Sequence, residues 1–302
     1  MRRPMFSLPL DRSRWLARAA VVACLAVQAM PLPGAAAEAA GYAWKPASAR
    51  DAAVADTLAQ RIAPPPGFTR TPSPDGSFAE WLRGLPMKAA DAPVLLHTGA
   101  RKWRQDVHVA VVDIDTGARD LQQCADAVMR LRAEWLWSAG RRAEIGFNYT
   151  DGKRRTFSAT GKSDYPSFRK YMDLVFAYAG TYSLERELKP VVSETRFPHV
   201  SETRLPHVSE TRLRHEAADI AIGDVFIKGG FPGHAVLVAD MATNAAGEKR
   251  FLLLQSFMPA QEIHVLKSPA APDGSPWYAA PVTYPFVTPE WTFPAGSLKR
   301  WP

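Results

Sequence analysis

A thiol and an imidazole are the two side chains of this sequence whose surroundings best suit catalysis. Cys124 stands in Leu121-Gln122-Gln123-Cys124-Ala125-Asp126-Ala127-Val128, near the start of the clearest amphipathic helix of the chain. His234 opens the apolar run Gly233-His234-Ala235-Val236-Leu237-Val238. A free thiol titrates near ~8.5, and a helix N-terminus or a nearby imidazolium lowers that value. Asp120 is a suitable N-cap, which sets Cys124 in or just after the first turn. There the helix dipole and the unpaired N–H groups favour a negative charge. The same N–H groups can hold an oxyanion, and Gln122 or Gln123, with Gln123 preferred, adds a side-chain donor. The chemistry expected is nucleophilic hydrolysis, with Cys124 attacking and His234 moving the proton. The competing readings are a small buried hydrophobe for Cys124 and a core histidine for His234.

A base needs an orienting partner. His234 alternates with Val236 and Val238 and so shares their sheet face. Gly229, Gly230 and Gly233 beside it permit close approach of backbone or substrate. A turn near Ala246 sets Val236 opposite Gln255 or Ser256 in an antiparallel pair. Gln255, polar at the end of Leu252-Leu253-Leu254, is then placed to hold the imidazole. Its alternative is a hydrogen bond to backbone at a sheet edge. Asp240 shares the face of His234 but lies roughly 20 Å along the strand at ~3.3 Å per residue, too far to orient it.

The elements that must position these residues can be read in outline. Ser77-Phe78-Ala79-Glu80 is a capping-box pattern opening a short helix with Trp81 and Leu82 inward. Residues 107–114 read as a strand. Leu121, Ala125, Val128, Leu131 and Trp135 mark one face of the helix that carries Cys124, which Gly140 ends. Residues 141–157 read as a hairpin turning at Asp151-Gly152. A second helix runs through Phe168, Met172 and Phe176 and closes at Gly180. Residues 222–227, 234–241, 250–257 and 263–266 read as strands, and the Pro- and Trp-rich tail from Ser268 as a surface wrap. Helices first and an antiparallel meander afterwards predict an α+β fold.

Residues 192–199, 200–207 and 208–215 are near-copies of one eight-residue unit. That period matches no helix, heptad or common solenoid unit. It reads as a loop insertion, since lengthening a loop costs little entropy. His199, His207 and His215 thereby leave the catalytic candidates, although a metal or partner strip is the other reading. His97, His108 and His264 lack a comparable context.

The N-terminus is basic, then apolar from Ala19 to Met30, then Ala35-Ala36-Ala37, which reads as a secretory signal peptide over residues 1–37. The apolar stretch is too short for a membrane span. A lipoprotein anchor on Cys24 is the lesser alternative. Cleavage leaves Cys124 as the only cysteine of an exported chain, so no intrachain disulfide can form. Of 37 basic and 30 acidic residues, the leader holds five Arg and Asp11. The remaining 32 and 29 leave a net of +3 with no basic patch, which argues against nucleic-acid binding. No zinc-ligand spacing and no phosphate-cradling glycine loop occurs, so no metal or cofactor is expected. The expected organisation is a signal peptide at 1–37, a tether at 38–66 and one α+β domain at 67–302 with the repeat as an inserted loop.

Gly223-Asp224-Val225-Phe226-Ile227 followed by Gly233-His234-Ala235-Val236-Leu237-Val238 resembles the Gly-Asp strand and His-bearing strand of the NlpC/P60 peptidases, within the papain-like class. In that class the Cys opens a helix, the His begins a later strand and a polar residue on the next strand orients it. Cys124, His234 and Gln255 follow this order. The resemblance implies a papain-like fold, with N-terminal helices packed on an antiparallel sheet. It also implies an exported or periplasmic cysteine hydrolase cleaving an amide of the cell envelope, with peptidoglycan stem peptides as substrate. The sequence departs from the peptidase pattern at Gln123, where Asp is usual, and at Ala125-Asp126, where Ser-Gly is usual. The chain also resembles an uncharacterised family of bacterial exported proteins. A binding or structural module on the same fold is the alternative function.

Overall fold

The computed structural model describes residues 41–45, 55–191 and 219–302, all within one unit spanning Glu38–Pro302. The leader and the tandem repeat fall outside those residues. In chain order the helices are α1 (Leu58–Arg61), α2 (Phe78–Arg83), α3 (Cys124–Ser138), α4 (Tyr165–Tyr178) and α5 (Thr181–Glu187). The first strands are β1 (Phe68–Arg70), β2 (His108–Val111), β3 (Gly146–Asn148), β4 (Arg154–Thr156) and β5 (Lys189–Pro190). Then come β6 (Val225–Lys228), β7 (His234–Asn244), β8 (Lys249–Gln255) and β9 (His264–Leu266). The tail adds β10 (Tyr278–Ala280), β11 (Phe286–Val287), β12 (Thr292–Phe293) and β13 (Leu298–Arg300).

The main sheet has nine strands, in the order β2-β9-β8-β7-β6-β13-β5, with β1 added to β7 and β10 to β8. All its pairings are antiparallel. The two long central strands each take two short partners end to end. The first residues of β7 pair with β6 and its last with β1. Strand β8 is likewise shared between β10 and β9. The register Leu237↔Leu254 and Val238↔Leu253 sets Val236 across from Gln255 before a bulge shifts it at Asp240.

Alternation along the central strands divides the interior in two. Ala235, Leu237 and Leu254 face α3, where Ala125, Val128 and Leu131 cover them. Val236, Val238 and Leu253 face the opposite way, against Phe226, Phe286 and Phe293. The tail is thus no surface wrap. Its short strands and aromatic rings form the layer over the second face, with Phe293 fully buried. Nor is the stretch before residue 67 a loose tether where it is described. Tyr42 and Leu58 are buried, and the Tyr42 hydroxyl donates to the Trp81 carbonyl at 3.2 Å.

Helix α2 starts where the capping pattern places it, with Ser77 Oγ accepting from Glu80 N at 3.2 Å. It is fastened to the sheet by Arg83, which shares the fully buried Asp240 with Arg70; each guanidinium lies 2.6 Å from a carboxylate oxygen. The 141–157 hairpin forms as β3 and β4. Helix α4 ends earlier than expected, at Tyr178. Gly180 caps a further helix, α5, instead of closing α4.

Candidate functional site

Cys124 is the first residue of α3, and Gln123 is its N-cap. Asp120 has a different task. Its carboxylate accepts from Ala260 N at 2.6 Å and from Gln123 Nε2 at 3.1 Å. The capping role falls to Asp126, whose Oδ2 accepts from Gln123 N at 3.1 Å. The hydroxyl of Ser256, just past β8, meets the carbonyls of Gln261 at 2.8 Å and Gln122 at 3.2 Å. These contacts pin the start of α3 to the end of β8. There the thiol faces the N–H groups of Ala125 and Ala235, the latter being the residue after His234. Burial, and next the Asp126 carboxyl, push the Cys124 thiol up to about 12, against the pull of those N–H groups.

His234 leaves β7 on the second face, among the rings of Phe257, Trp291 and Phe293, with centroids 4.8 to 5.8 Å away. Its Nε2 lies 2.9 Å from Gln255 Oε1. The amide of Gln255 is fully used. Its Nε2 donates to Glu290 Oε2 at 2.7 Å and approaches His264 Nε2 at 3.5 Å. Glu290 is ion-paired with Lys102, with the two side chains 6% and 2% exposed. These contacts fix the proton positions. A carboxylate only accepts, so Nε2 of Gln255 must face Glu290. Oε1 then faces His234, whose Nε2 must carry the hydrogen. The Nδ1 lone pair is left without a hydrogen bond among the described residues. His234 is thereby held in the tautomer that a general base needs.

Burial, and more weakly the Lys102 charge, lower the His234 pKa to about 4, against the smaller upward effect of the Gln255 hydrogen bond. The ordinary histidine value is 6.5, so the unfolded chain binds the extra proton between pH 6.5 and 4. Stability must therefore be complete above that window and fall as the pH drops through it. The loss attributable to His234 is about 3 kcal/mol. Urea unfolding at pH 7 and pH 4 checks this. The wild-type chain should lose more than His234→Gln by about that amount, and equal losses would disprove it.

A cleft of about 250 Å³ lies over the helix start, lined by Asp120, Gln123, Cys124, Asp126, Gly233 and Met258 among others. Gln123 is thus at the cleft wall. Gln122 is not, being fully buried with its Oε1 accepting from Arg130 Nη1 at 3.0 Å. His234 and Gln255 lie behind the wall instead of in it. No hydrogen bond joins Cys124 to His234. The structure brings His234 and Gln255 together on the second face, while Cys124 lies on the α3 side of β7, facing the Ala235 N–H. Sequence reasoning missed Glu290, Lys102 and His264. The only signal for the first two was a charged residue inside an apolar or aromatic context, in Val94 to Trp103 and in Pro289-Glu290-Trp291. Among the described residues no cluster of His, Cys, Asp and Glu is arranged to hold a metal ion, and no helix is long and apolar enough to cross a membrane.

A family model described as Domain of unknown function (4846) matches residues 58–162 and 207–300, which is 199 of 302 residues. Cys124, His234, Gln255, Lys102 and Glu290 all fall inside the matched stretches. Nothing in this match links the chain to the NlpC/P60 peptidases. No curated protein and no solved structure matches.

Proposed function

Because the chain belongs to the family described as Domain of unknown function (4846), which assigns no chemistry, we propose a function from the site itself: an exported cysteine hydrolase cleaving an amide of the cell envelope. The observation that carries it is the Lys102–Glu290–Gln255–His234 chain, which ends in an imidazole with a free Nδ1 next to the residue whose N–H faces Cys124. Sγ of Cys124 attacks the carbonyl carbon, and its proton passes to Nδ1 of His234 once the imidazole swings round the end of β7 from the second face into the cleft. The imidazolium returns that proton to the leaving nitrogen as the C–N bond breaks. Water then attacks the thioester, giving one proton through His234 back to sulfur and releasing the acid. Backbone N–H groups at the start of α3, with Gln123, receive the oxyanion. The papain-like fold implied by the NlpC/P60 resemblance belongs to this reading, and the peptidoglycan stem peptides it implies are one class of envelope amide to be tested as substrate.

Both groups rest uncharged, the thiol pushed up and the imidazole down by burial. Moving the proton from sulfur to nitrogen creates neighbouring opposite charges, whose attraction opposes the cost of burial. That balance decides between the hydrolase and a second reading, a binding module with an inert thiol, which the two shifts and the missing Cys124–His234 hydrogen bond favour. The rate of Cys124 alkylation by iodoacetamide at pH 7 separates them. A hydrolase should react at least tenfold faster than free cysteine and lose that excess in His234→Gln (on the order of the thiolate fraction gained). A rate below that of free cysteine, unchanged by the substitution, overturns the hydrolase reading.

A further inference from the structure

Seven large apolar side chains are exposed among the described residues, and three of them line the one cleft over Cys124. Phe231 is 95% exposed, Met258 46% and Tyr182 41%. They come from three separate segments: the β6–β7 turn, the loop after β8, and the first turn of α5. Exposed apolar area concentrated at one opening costs solvation and marks a contact surface.

The turn that presents Phe231 is braced. Thr181 Oγ1 donates to Gly230 O at 3.3 Å. A Cβ at Gly233 would come within 2.3 Å of Thr181 Oγ1 and 2.5 Å of Gly230 O, so only glycine fits between turn and helix. A Cβ at Gly229 would likewise meet Glu185 Oε2 at 2.5 Å. Phe231 therefore points outward from a tightly packed support. Asp126, 6% exposed, contributes to the lining of the cleft, and Oδ1 of that carboxyl has no partner. At about 250 Å³ the space is below the ~300–1,000 Å³ of a site that encloses a drug-sized ligand. It suits one side chain of a longer substrate.

We propose that the cleft selects a peptide carrying a large apolar side chain, aromatic or branched aliphatic, next to the bond presented to Cys124, seated among Phe231, Met258 and Tyr182. This rests on the hydrolase reading for the fate of the peptide, but the binding preference stands on the rim itself. It points away from the small and polar residues of peptidoglycan stems and towards envelope polypeptides.

The test separates binding from chemistry. The Cys124→Ser chain is titrated with acetyl-Gly-Phe-Gly-amide and acetyl-Gly-Ala-Gly-amide by ligand-observed NMR. The phenylalanine peptide should bind about tenfold tighter, the ratio expected for partial burial of a phenyl ring. In Cys124→Ser with Phe231→Ser the ratio should fall to about twofold or less. Phe231 is almost wholly exposed, so an unchanged thermal midpoint checks that the variant is folded. Equal binding of the two peptides, or a preference untouched by Phe231→Ser, overturns the proposal. In parallel, the wild-type chain is treated with the phenylalanine peptide as its chloromethyl ketone. A retained binding preference without alkylation of Cys124 would reject the hydrolase reading and leave the apolar site standing.

Discussion

Replacing Cys124 by alanine should remove hydrolysis altogether, a fall of about 10⁴-fold or more, because every later step needs the thioester. Release of new primary amines is the measurement, from purified peptidoglycan sacculi in one assay and from apolar envelope peptides in another. The fold should survive. Cys124 is a small buried side chain outside both apolar clusters of the interior, and losing one sulfur leaves a small cavity costing about 1 kcal/mol. Intact circular dichroism with lost activity is therefore the expected pair of results. Undiminished hydrolysis by the alanine variant would remove Cys124 from the mechanism, and with it the proposed function.

The second large effect lies nearly two turns further along α3. Arg130 is fully buried, and its guanidinium donates to Glu134 Oε1 at 2.6 Å, to Gln122 Oε1 at 3.0 Å and to Asp115 Oδ2 at 3.1 Å. Tyr165 completes the cluster by donating to the same Glu134 oxygen at 2.7 Å. Glu134→Ala leaves a guanidinium inside the protein without its closest counter-charge. Breaking a buried pair in this way costs about 3–5 kcal/mol. Urea denaturation should show that loss. Replacing both partners, as Arg130→Met with Glu134→Leu, should recover most of it, since neither charge is then stranded. A cost under about 1 kcal/mol for Glu134→Ala would mean that the cluster is better solvated than its burial indicates. The cluster also holds Gln122, two residues before the thiol, so the single variant should slow any reaction at Cys124 as well.

Much of the scaffold was legible because it rests on local rules. The Ser77 cap, the apolar face of α3, the turn at Asp151-Gly152 and the alternation through β7 each follow from a few adjacent residues. The His234–Gln255 contact followed from register alone, since Leu237 pairs with Leu254 and the strands run antiparallel. What escaped was decided at long range. Asp120 has the right side chain for an N-cap, yet Ala260, 140 residues away in sequence, claims it. The helix then begins at Cys124, with Asp126 reaching back. The tail carries no periodicity, because its strands are only two or three residues long and separated by prolines. Its part in the second layer, and the placement of Glu290 against Gln255, come from packing that no local pattern encodes. Helix α5 was missed for the opposite reason: Gly180 has the usual chemistry of a helix end, and here it serves a beginning.

Helix α5 has one more consequence. The thiol, the imidazole, the glutamine and the buried ion pair all come from the two stretches that the family shares. Phe176, Ala179, Gly180, Thr181 and Tyr182, which close one side of the opening, lie between those stretches. A relative assembled from the shared stretches alone would keep the same reactive groups behind a different doorway. One wall of the opening is thus encoded apart from the thiol, the imidazole and the glutamine, whereas Phe231 and Met258 of the same opening travel with them in the shared stretches.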